Sequence, residues 1–312
     1  MISLLAVPVL VGLALCLVSD RLARSLRPGW AVPLLTALAL SVALCTGIAL
    51  SVAAVLVGVQ LGPLPRIGQW SVRSLRSGMG FPDFVGLLAM ALVLVLLASA
   101  LVRGVRTARD LIRASRAARG LHPAGGELAF VDDAAPVAYS VLGFPGRIVV
   151  SAAMLAALSA DERRVLLAHE ASHLRNRHQL YFGLTRLAAA ANPLLRPVVG
   201  AVSRAVERAA DEDAAAVVGD RGLAARALTR AALARAAHPG SLAPAAALGA
   251  TEGGAAVMVD RVRSLLAPPV HYRQLPVLLV LLAGVASWTA AVVLAAWGDG
   301  VVEVAEAVYA RH

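Results

Sequence analysis

Four long apolar runs without a charged side chain constrain the fold of this chain more than any other feature. They cover residues 2–18, 30–61, 84–102 and 276–297. A helix rises about 1.5 Å per residue, so about 20 apolar residues span a hydrocarbon core about 30 Å thick. Hydrophobic residues make up 59% of the chain and charged residues 15%, against about 45–50% and about 25% in soluble domains. The sequence therefore predicts about four transmembrane helices.

The first run is predicted to be a retained membrane helix and not a cleaved signal peptide. A signal peptide carries positive charge before its apolar segment, whereas Arg21, Arg24 and Arg27 follow this run. Cys16 and Cys45 both lie in apolar runs, so a disulfide framework is not expected.

The arginines predict how the spans are oriented. The net charge of +10 comes from arginine alone, and arginines cluster after the third run, at Arg103, Arg106, Arg109, Arg113, Arg116 and Arg119. Positive residues within about 20 residues of a span favour the cytoplasmic side. We therefore expect residues 103–275 to be cytoplasmic and both termini to be outside. A nucleic-acid surface is the alternative, but the membrane rule accounts for this clustering without it.

Short strands and then helices are predicted between the third and fourth runs. The β-branched stretches 126–133, 136–143 and 146–154 indicate strands, with residues 144–146 as a hairpin turn. Ser159 followed by Glu162 is a capping-box signature for a helix that starts near Ser159. Further helices are predicted over 180–191, from Asn192-Pro193 onward, and over 221–237 and 255–267, the last two separated by a flexible segment, 238–254.

The helix that starts near Ser159 carries the motif His169-Glu170-Ala-Ser-His173. Residues four apart share a helix face, so both imidazoles can bind one ion. Two histidines, a carboxylate and a water form the usual hydrolytic zinc site. Glu170 lies one step round the helix, where it can face the attacking water as general base. The alternative is a pair of histidines on a solvated helix, but the apolar stretch before the motif argues against it.

A third zinc ligand is predicted on a later helix. Glu207 and Asp211 are four apart and share one face. Glu207 is the candidate ligand, and Asp211 is expected to accept the N–H of a ligating histidine. An exposed charged turn is the alternative, and Glu212 and Asp213 are the next candidates for the ligand.

Residues 127–267 resemble the integral-membrane gluzincin metallopeptidases, which share HExxH, a distant ExxAD-type motif and a strand pair before the zinc helix. Three N-terminal spans, "ANPL" at 191–194 and "RVRSLL" at 261–266 are similar to the beta-lactam-sensor/antirepressor branch (Bla/Mec-type signal transducers). Heat-shock and CAAX-prenyl membrane peptidases form the related branch. The best-known antirepressor members carry a sensor domain after the last span, whereas about fifteen residues follow Trp297 here.

This resemblance implies a membrane α+β fold with a mainly helical, zincin-like catalytic domain and a short β-hairpin. We expect three transmembrane helices in 1–102, a cytoplasmic zinc metallopeptidase domain in 103–275, a fourth helix in 276–298 and a short extracytoplasmic tail in 299–312. The expected cofactor is Zn²⁺, and the expected partners are membrane lipid and a protein substrate such as a transcriptional repressor, without direct nucleic-acid binding.

Several assignments stay open in the sequence. Quality control of membrane proteins is the alternative enzymatic role, and a scaffold with a structural zinc site is the non-enzymatic one. His178 lies five residues after His173 and is expected in a second shell or on the surface. The group that would steady the oxyanion is not singled out among Tyr181, His238, Arg204 and Arg208.

Overall fold

The computed structural model describes residues 2–61, 63–79, 81–120, 123–125, 127–143, 146–238, 255–267 and 274–311. The helices are α1 Ile2–Ser25, α2 Pro28–Gly58, α3 Leu64–Ile67, α4 Val72–Met79, α5 Asp83–Arg119, α6 Ala152–Ala156, α7 Ala160–Arg175, α8 His178–Ala191, α9 Arg196–Val218, α10 Arg221–Ala236, α11 Ala255–Leu266 and α12 Leu275–Tyr309. The strands are β1 Pro123–Gly125, β2 Leu128–Val131, β3 Ala138–Val141 and β4 Arg147–Ser151.

Four helices, α1, α2, α5 and α12, are long and apolar enough to cross a membrane. They coincide with the four apolar runs of the sequence, which confirms the α+β membrane fold class and indicates a multi-pass membrane protein. Helix α5 does not stop where its apolar run ends at Val102 but continues through the arginines to Arg119. A helix of 37 residues is about 55 Å long, so its basic end extends well beyond the thickness of a hydrocarbon core.

Residues 299–309, within the expected tail, are the last turns of α12. Val301 and Ala305 of these turns pack in one core with Leu75 and Met79 of α4. The N–H of Ser71 donates to the carbonyl of Ala305 at 3.1 Å. These contacts explain why the helix continues past the apolar run.

Helices α8 and α9 form a hairpin that packs among the membrane helices. The hydroxyls of Thr36 in α2 and Thr185 in α8 are 3.0 Å apart, and Asn192 at the tip donates to Thr46 of α2 at 3.2 Å. The first turns of α9 share a hydrophobic core with α1 and α2. The sequence analysis expected this segment in a cytoplasmic domain, because it lies within residues 103–275.

The four strands form one sheet in the order β1-β2-β4-β3. Strands β3 and β4 are antiparallel, which confirms the predicted hairpin, while β2 is parallel to β4. The predicted turn residues 144 and 145 lie outside the described residues, as does nearly all of the segment predicted to be flexible. The prediction of a strand up to residue 154 is wrong, because the Ser151 hydroxyl accepts the N–H of Met154 and starts α6 there.

Candidate metal centre

Helix α7 carries the HExxH motif and begins at the predicted cap. The Ser159 hydroxyl accepts the N–H of Glu162, and the Glu162 carboxylate accepts the N–H of Ser159 at 2.9 Å. This capping box fixes where α7 starts and therefore which face its later turns present. Val165 and Leu166 bury the same helix against the helical and sheet cores, and His169 and Glu170 are each only 5% exposed.

The two histidines of the motif both direct their Nε2 atoms into the same space. The Nε2 atoms of His169 and His173 lie 3.1 Å apart. Two nitrogens bound about 2.0–2.1 Å from a tetrahedral ion are roughly 3.3 Å apart. The spacing of the two imidazoles therefore suits a shared zinc ion.

Helix α9 brings Glu207 and Asp211 to these histidines. The Glu207 carboxylate oxygens lie 3.8 Å from His169 Nε2 and 3.9 Å from His173 Nε2. One ligand atom from each of the three residues falls within 4.8 Å of the others. Asp211 Oδ1 lies 3.1 Å from Nδ1 of His169. The alternative of an exposed charged turn does not hold, because Asp211 is 2% exposed.

Arg261 of α11 is a site residue that the sequence analysis did not identify. Its guanidinium holds Asp211 with two hydrogen bonds, of 2.8 and 2.6 Å, and lies 3.0 Å from Glu207. Leu265, one turn later, is buried, so Arg261 stands on the inward face of its helix. An inward-facing arginine was the available signal, because two buried carboxylates need a nearby cation.

His178 supports His173 from the other side. The Nδ1 atoms of the two rings lie 3.0 Å apart, and His178 is 4% exposed. Helix α7 ends at Arg175, and Arg177 adopts a left-handed conformation with φ 52° before α8 begins. Because the helix breaks here, His178 lies beside the metal centre. Its spacing from His173 on one continuous helix would not place it there.

Glu212 and Asp213, the next candidates for the third ligand, bind other side chains. Asp213 accepts hydrogen bonds from Ser172, Arg175 and Asn176 at 2.7–3.1 Å, which ties α9 to the end of α7. Glu212 binds Arg221 of α10 through both carboxylate oxygens. Neither residue belongs to the group formed by Glu207 and the two histidines.

Burial and neighbouring charges set the protonation of the site. Burial raises the pKa of Glu170, and the positive charges of His169 and Arg235 act against that rise. A raised pKa brings a carboxylate closer to the range that suits a general base near neutral pH. Burial, followed by the charges of His169 and His178, lowers the pKa of His173. The neutral imidazole that a metal requires is therefore favoured at His173.

The charged side chains around the metal centre differ in whether they already have a hydrogen-bond or ion-pair partner. Arg204 pairs with Asp20 of α1, and Arg208 donates to the carbonyl of Ala23 at 3.2 Å. His238 is exposed at the end of α10. Arg235 acts on Glu170 through its charge, and its buried Nε atom has no hydrogen-bond partner among the described residues. Arg235 is thus a further candidate for contact with a bound peptide.

The donor set fits zinc. Two imidazoles and one carboxylate are the protein ligands of many hydrolytic zinc sites, which leave a fourth position open. Each imidazole also has a group beside its other nitrogen, Asp211 for His169 and His178 for His173, as metal-ligating histidines almost always do.

The model of Peptidase family M48 matches residues 105–191. The match runs from the basic part of α5 to the end of α8 and contains His169, Glu170 and His173, but it ends before Glu207. No curated protein and no solved structure matches the chain. M48 peptidases are typically zinc-dependent. The match does not identify the antirepressor branch within the membrane metallopeptidases. Over these residues the chain is similar to the M48 peptidases, which supports a membrane zincin metallopeptidase.

Proposed function

We propose that this chain is a zinc-dependent membrane endopeptidase. The observation that carries the proposal is the convergence of His169, His173 and Glu207 within one ligand-sized space, with Glu170 buried beside it. A structural zinc site is normally closed by four protein ligands, mostly cysteines, whereas Cys16 and Cys45 lie in α1 and α2. The scaffold alternative is therefore the weaker one.

The chain's residues would divide the chemistry among them. His169, His173 and Glu207 would hold zinc, which supplies a Lewis acid for the scissile carbonyl and for the attacking water. Glu170 would take the proton from that water and return it to the leaving amine. Asp211 would keep His169 oriented, and Arg261 keeps Asp211 in place.

The outer edge of β3, the last strand of the sheet, is the proposed place for the substrate backbone. An extended peptide can add a strand to such an edge, and Ala138 of β3 shares a core with α7. The side chain of Gln179 already bonds the Leu142 N–H and the Ser140 carbonyl. We therefore expect a substrate to pair with the Ala138 end of the edge.

A cytoplasmic regulatory protein, such as a transcriptional repressor, is the proposed substrate. Its support is the order of spans and motifs, which is similar to the antirepressor branch. Quality control of membrane proteins is the second candidate. Its support is that α9, the helix that carries Glu207, packs at its start against the membrane helices α1 and α2, so the site lies close to membrane-embedded substrates.

Replacing Glu170 by glutamine tests the enzymatic role. The amide keeps the shape of the side chain and loses its basicity, so zinc per protein should stay near the wild-type value while cleavage falls at least about 10²-fold. The measurements are the zinc content of protein purified in detergent and the loss of fragments from the cellular proteome. Asp161→Asn, an exposed carboxylate on the same helix, is the matched control and should change neither.

Other outcomes would reject specific parts of the proposal. Wild-type cleavage by Glu170→Gln would rule out the mechanism even with zinc bound. Loss of zinc as complete as in His169→Ala would make Glu170 a ligand or a determinant of folding.

A further inference from the structure

A groove of about 1040 Å³ lies where the α8–α9 hairpin meets α5. Apart from Ser99, its wall on α5 is apolar from Val95 to Val102, and it becomes basic at Arg103 and Arg106. The opposite wall adds three further arginines, Arg186, Arg196 and Arg204. The groove is therefore lined by apolar side chains of α5 and by arginines from both of its walls.

The described residues that line this groove neutralise only part of its positive charge. Asp20 is the one carboxylate among the described residues that line it, and it pairs with Arg204. Among the described residues, Arg103, Arg106 and Arg196 have no carboxylate or hydrogen-bond partner. Three cations thus border one space without a counter-ion.

The groove also lies beside the membrane-spanning part of the fold. Arg196 begins α9 next to the hairpin tip, where Asn192 bonds Thr46 of α2. The α5 wall belongs to the third apolar run, and Val95 is 65% exposed. Charged side chains near hydrocarbon are costly unless they find a partner, so an anion from the bilayer would stabilise these arginines.

We propose that this groove binds an anionic phospholipid. Arg103, Arg106 and Arg196 would hold the phosphate of the headgroup, and an acyl chain would follow the apolar wall from Val95 to Val102. Basic pockets between membrane helices are a known form of lipid recognition. The proposal does not depend on peptidase activity, because none of these residues lines the metal centre.

The test compares two triple variants of the full-length protein. Arg103→Gln/Arg106→Gln/Arg196→Gln removes the three unpaired groove charges. Arg109→Gln/Arg113→Gln/Arg116→Gln removes three charges from α5 beyond the groove and is the matched control. Native mass spectrometry would count the phosphatidylglycerol and phosphatidylcholine molecules that each purified protein retains, and titration would give apparent affinities.

We expect the wild type to retain phosphatidylglycerol in preference to phosphatidylcholine. The groove variant should bind phosphatidylglycerol about 100-fold more weakly, since each basic residue contributes about a factor of five. The control triple and a lysine version of the groove triple should keep most of the binding. The lysine version also shows that any loss is not due to misfolding.

Three results would overturn the proposal. Equal weakening in both glutamine triples would mean that overall charge, and not the groove, attracts lipid. Equal retention of the two lipids by the wild type would remove the anionic preference. Displacement of phosphatidylglycerol by inorganic phosphate alone would mean that the site takes a free anion.

Discussion

Glu207 and Asp211 lie one helical turn apart on α9 but face different partners. Glu207 approaches the Nε2 atoms of both histidines, whereas Asp211 lies beside Nδ1 of His169 and is held by Arg261. The first geometry suits a ligand and the second suits a residue that orients a ligand. The two carboxylates should therefore respond differently to substitution.

We expect Glu207→Ala to abolish stoichiometric zinc in the purified protein. Asp211→Asn should weaken zinc binding by about 10–100-fold, the range for residues that orient ligands. Asparagine is preferred to alanine there, because its amide oxygen can still accept a hydrogen bond from the buried Arg261, whereas alanine would leave those donors without an acceptor. Competition with a chelator, followed by metal analysis, measures both effects.

Glu212→Gln is the control for this pair, because Glu212 binds Arg221 and not the histidines. It should leave zinc affinity unchanged. Full zinc occupancy in Glu207→Ala would exclude Glu207 as the third ligand. A complete loss in Asp211→Asn, equal to that of a histidine variant, would contradict the division of roles.

At the residue scale, local spacing reveals contacts within one helix and misses those made by distant segments. His169, Glu170 and His173 are spaced to share a helix, so the sequence could point to them. Arg261 lies 50 residues from Asp211 along the chain, and only packing of α11 against α9 brings them together. The sequence left His178 open between a second shell and the surface, because no signal marked the left-handed turn at Arg177 that places it beside His173.

At the scale of elements, the start of α7 depends on one buried carboxylate. Glu162 accepts from the N–H of Ser159 and pairs with Arg230 of α10 at 2.9 Å. Burial acts to raise the pKa of Glu162, but the hydrogen bonds from Ser159 and the charge of Arg230 outweigh it and lower the pKa. The ionised carboxylate is therefore the form that stabilises the fold.

Because its folded-state pKa is lowered, Glu162 should contribute stability above its unfolded pKa of about 4.3. This contribution is lost as the pH falls through the folded value. We expect Glu162→Gln to cost about 1 kcal/mol at pH 7, which lowers the apparent melting temperature by about 2–4 °C. The difference from wild type should shrink below about pH 4. Thermal unfolding in detergent at several pH values measures it.

Asp161→Asn serves again as the control, because Asp161 is exposed and makes only a 3.9 Å contact with Arg164. It should lower the melting temperature at pH 7 by less than Glu162→Gln does, because it removes only an exposed charge in the first turn of α7. If the melting temperature of Glu162→Gln stayed below that of the wild type by the same amount from pH 7 down to pH 3.5, the carboxylate charge would not be what stabilises the cap.

The elements differ in how far the sequence could predict them. Helix α7 has an explicit cap and an apolar face, so its start near Ser159 could be predicted. The α9 prediction was close: Asn192 accepts the N–H of Leu194, but it caps a short 3-10 turn, and α9 begins at Arg196, three residues after the predicted first position Pro193. Pro197 lacks an N–H and accounts for the delay. Strand β1 was missed because Pro123 and Gly125 are typical of turns.

At the scale of the whole molecule, the helical bundle has two distinct ends. At one end Arg204 and Arg208 of α9 bind Asp20 and Ala23 of α1, so the metal centre lies on the side where α1 ends. At the other end Trp70, between α2 and α5, donates to Glu306 of α12 at 2.8 Å. The metal centre therefore lies at the same end of the bundle as the loop between α1 and α2. The connection between α2 and α5 lies at the opposite end, with the last turns of α12.

This arrangement lets two reporter fusions test the proposed topology. The arginines after Val102 favour the cytoplasm for the end that carries the metal centre. A reporter near Gly120 should therefore report cytoplasm, and one after Arg311 should report the outside. The second site lies beyond α12, so the contact between Trp70 and Glu306 is left intact. Paired alkaline phosphatase and green fluorescent protein fusions give opposite signals on the two sides. Phosphatase activity at Gly120 would place the metal centre outside, and a cytoplasmic repressor would then be excluded as the substrate.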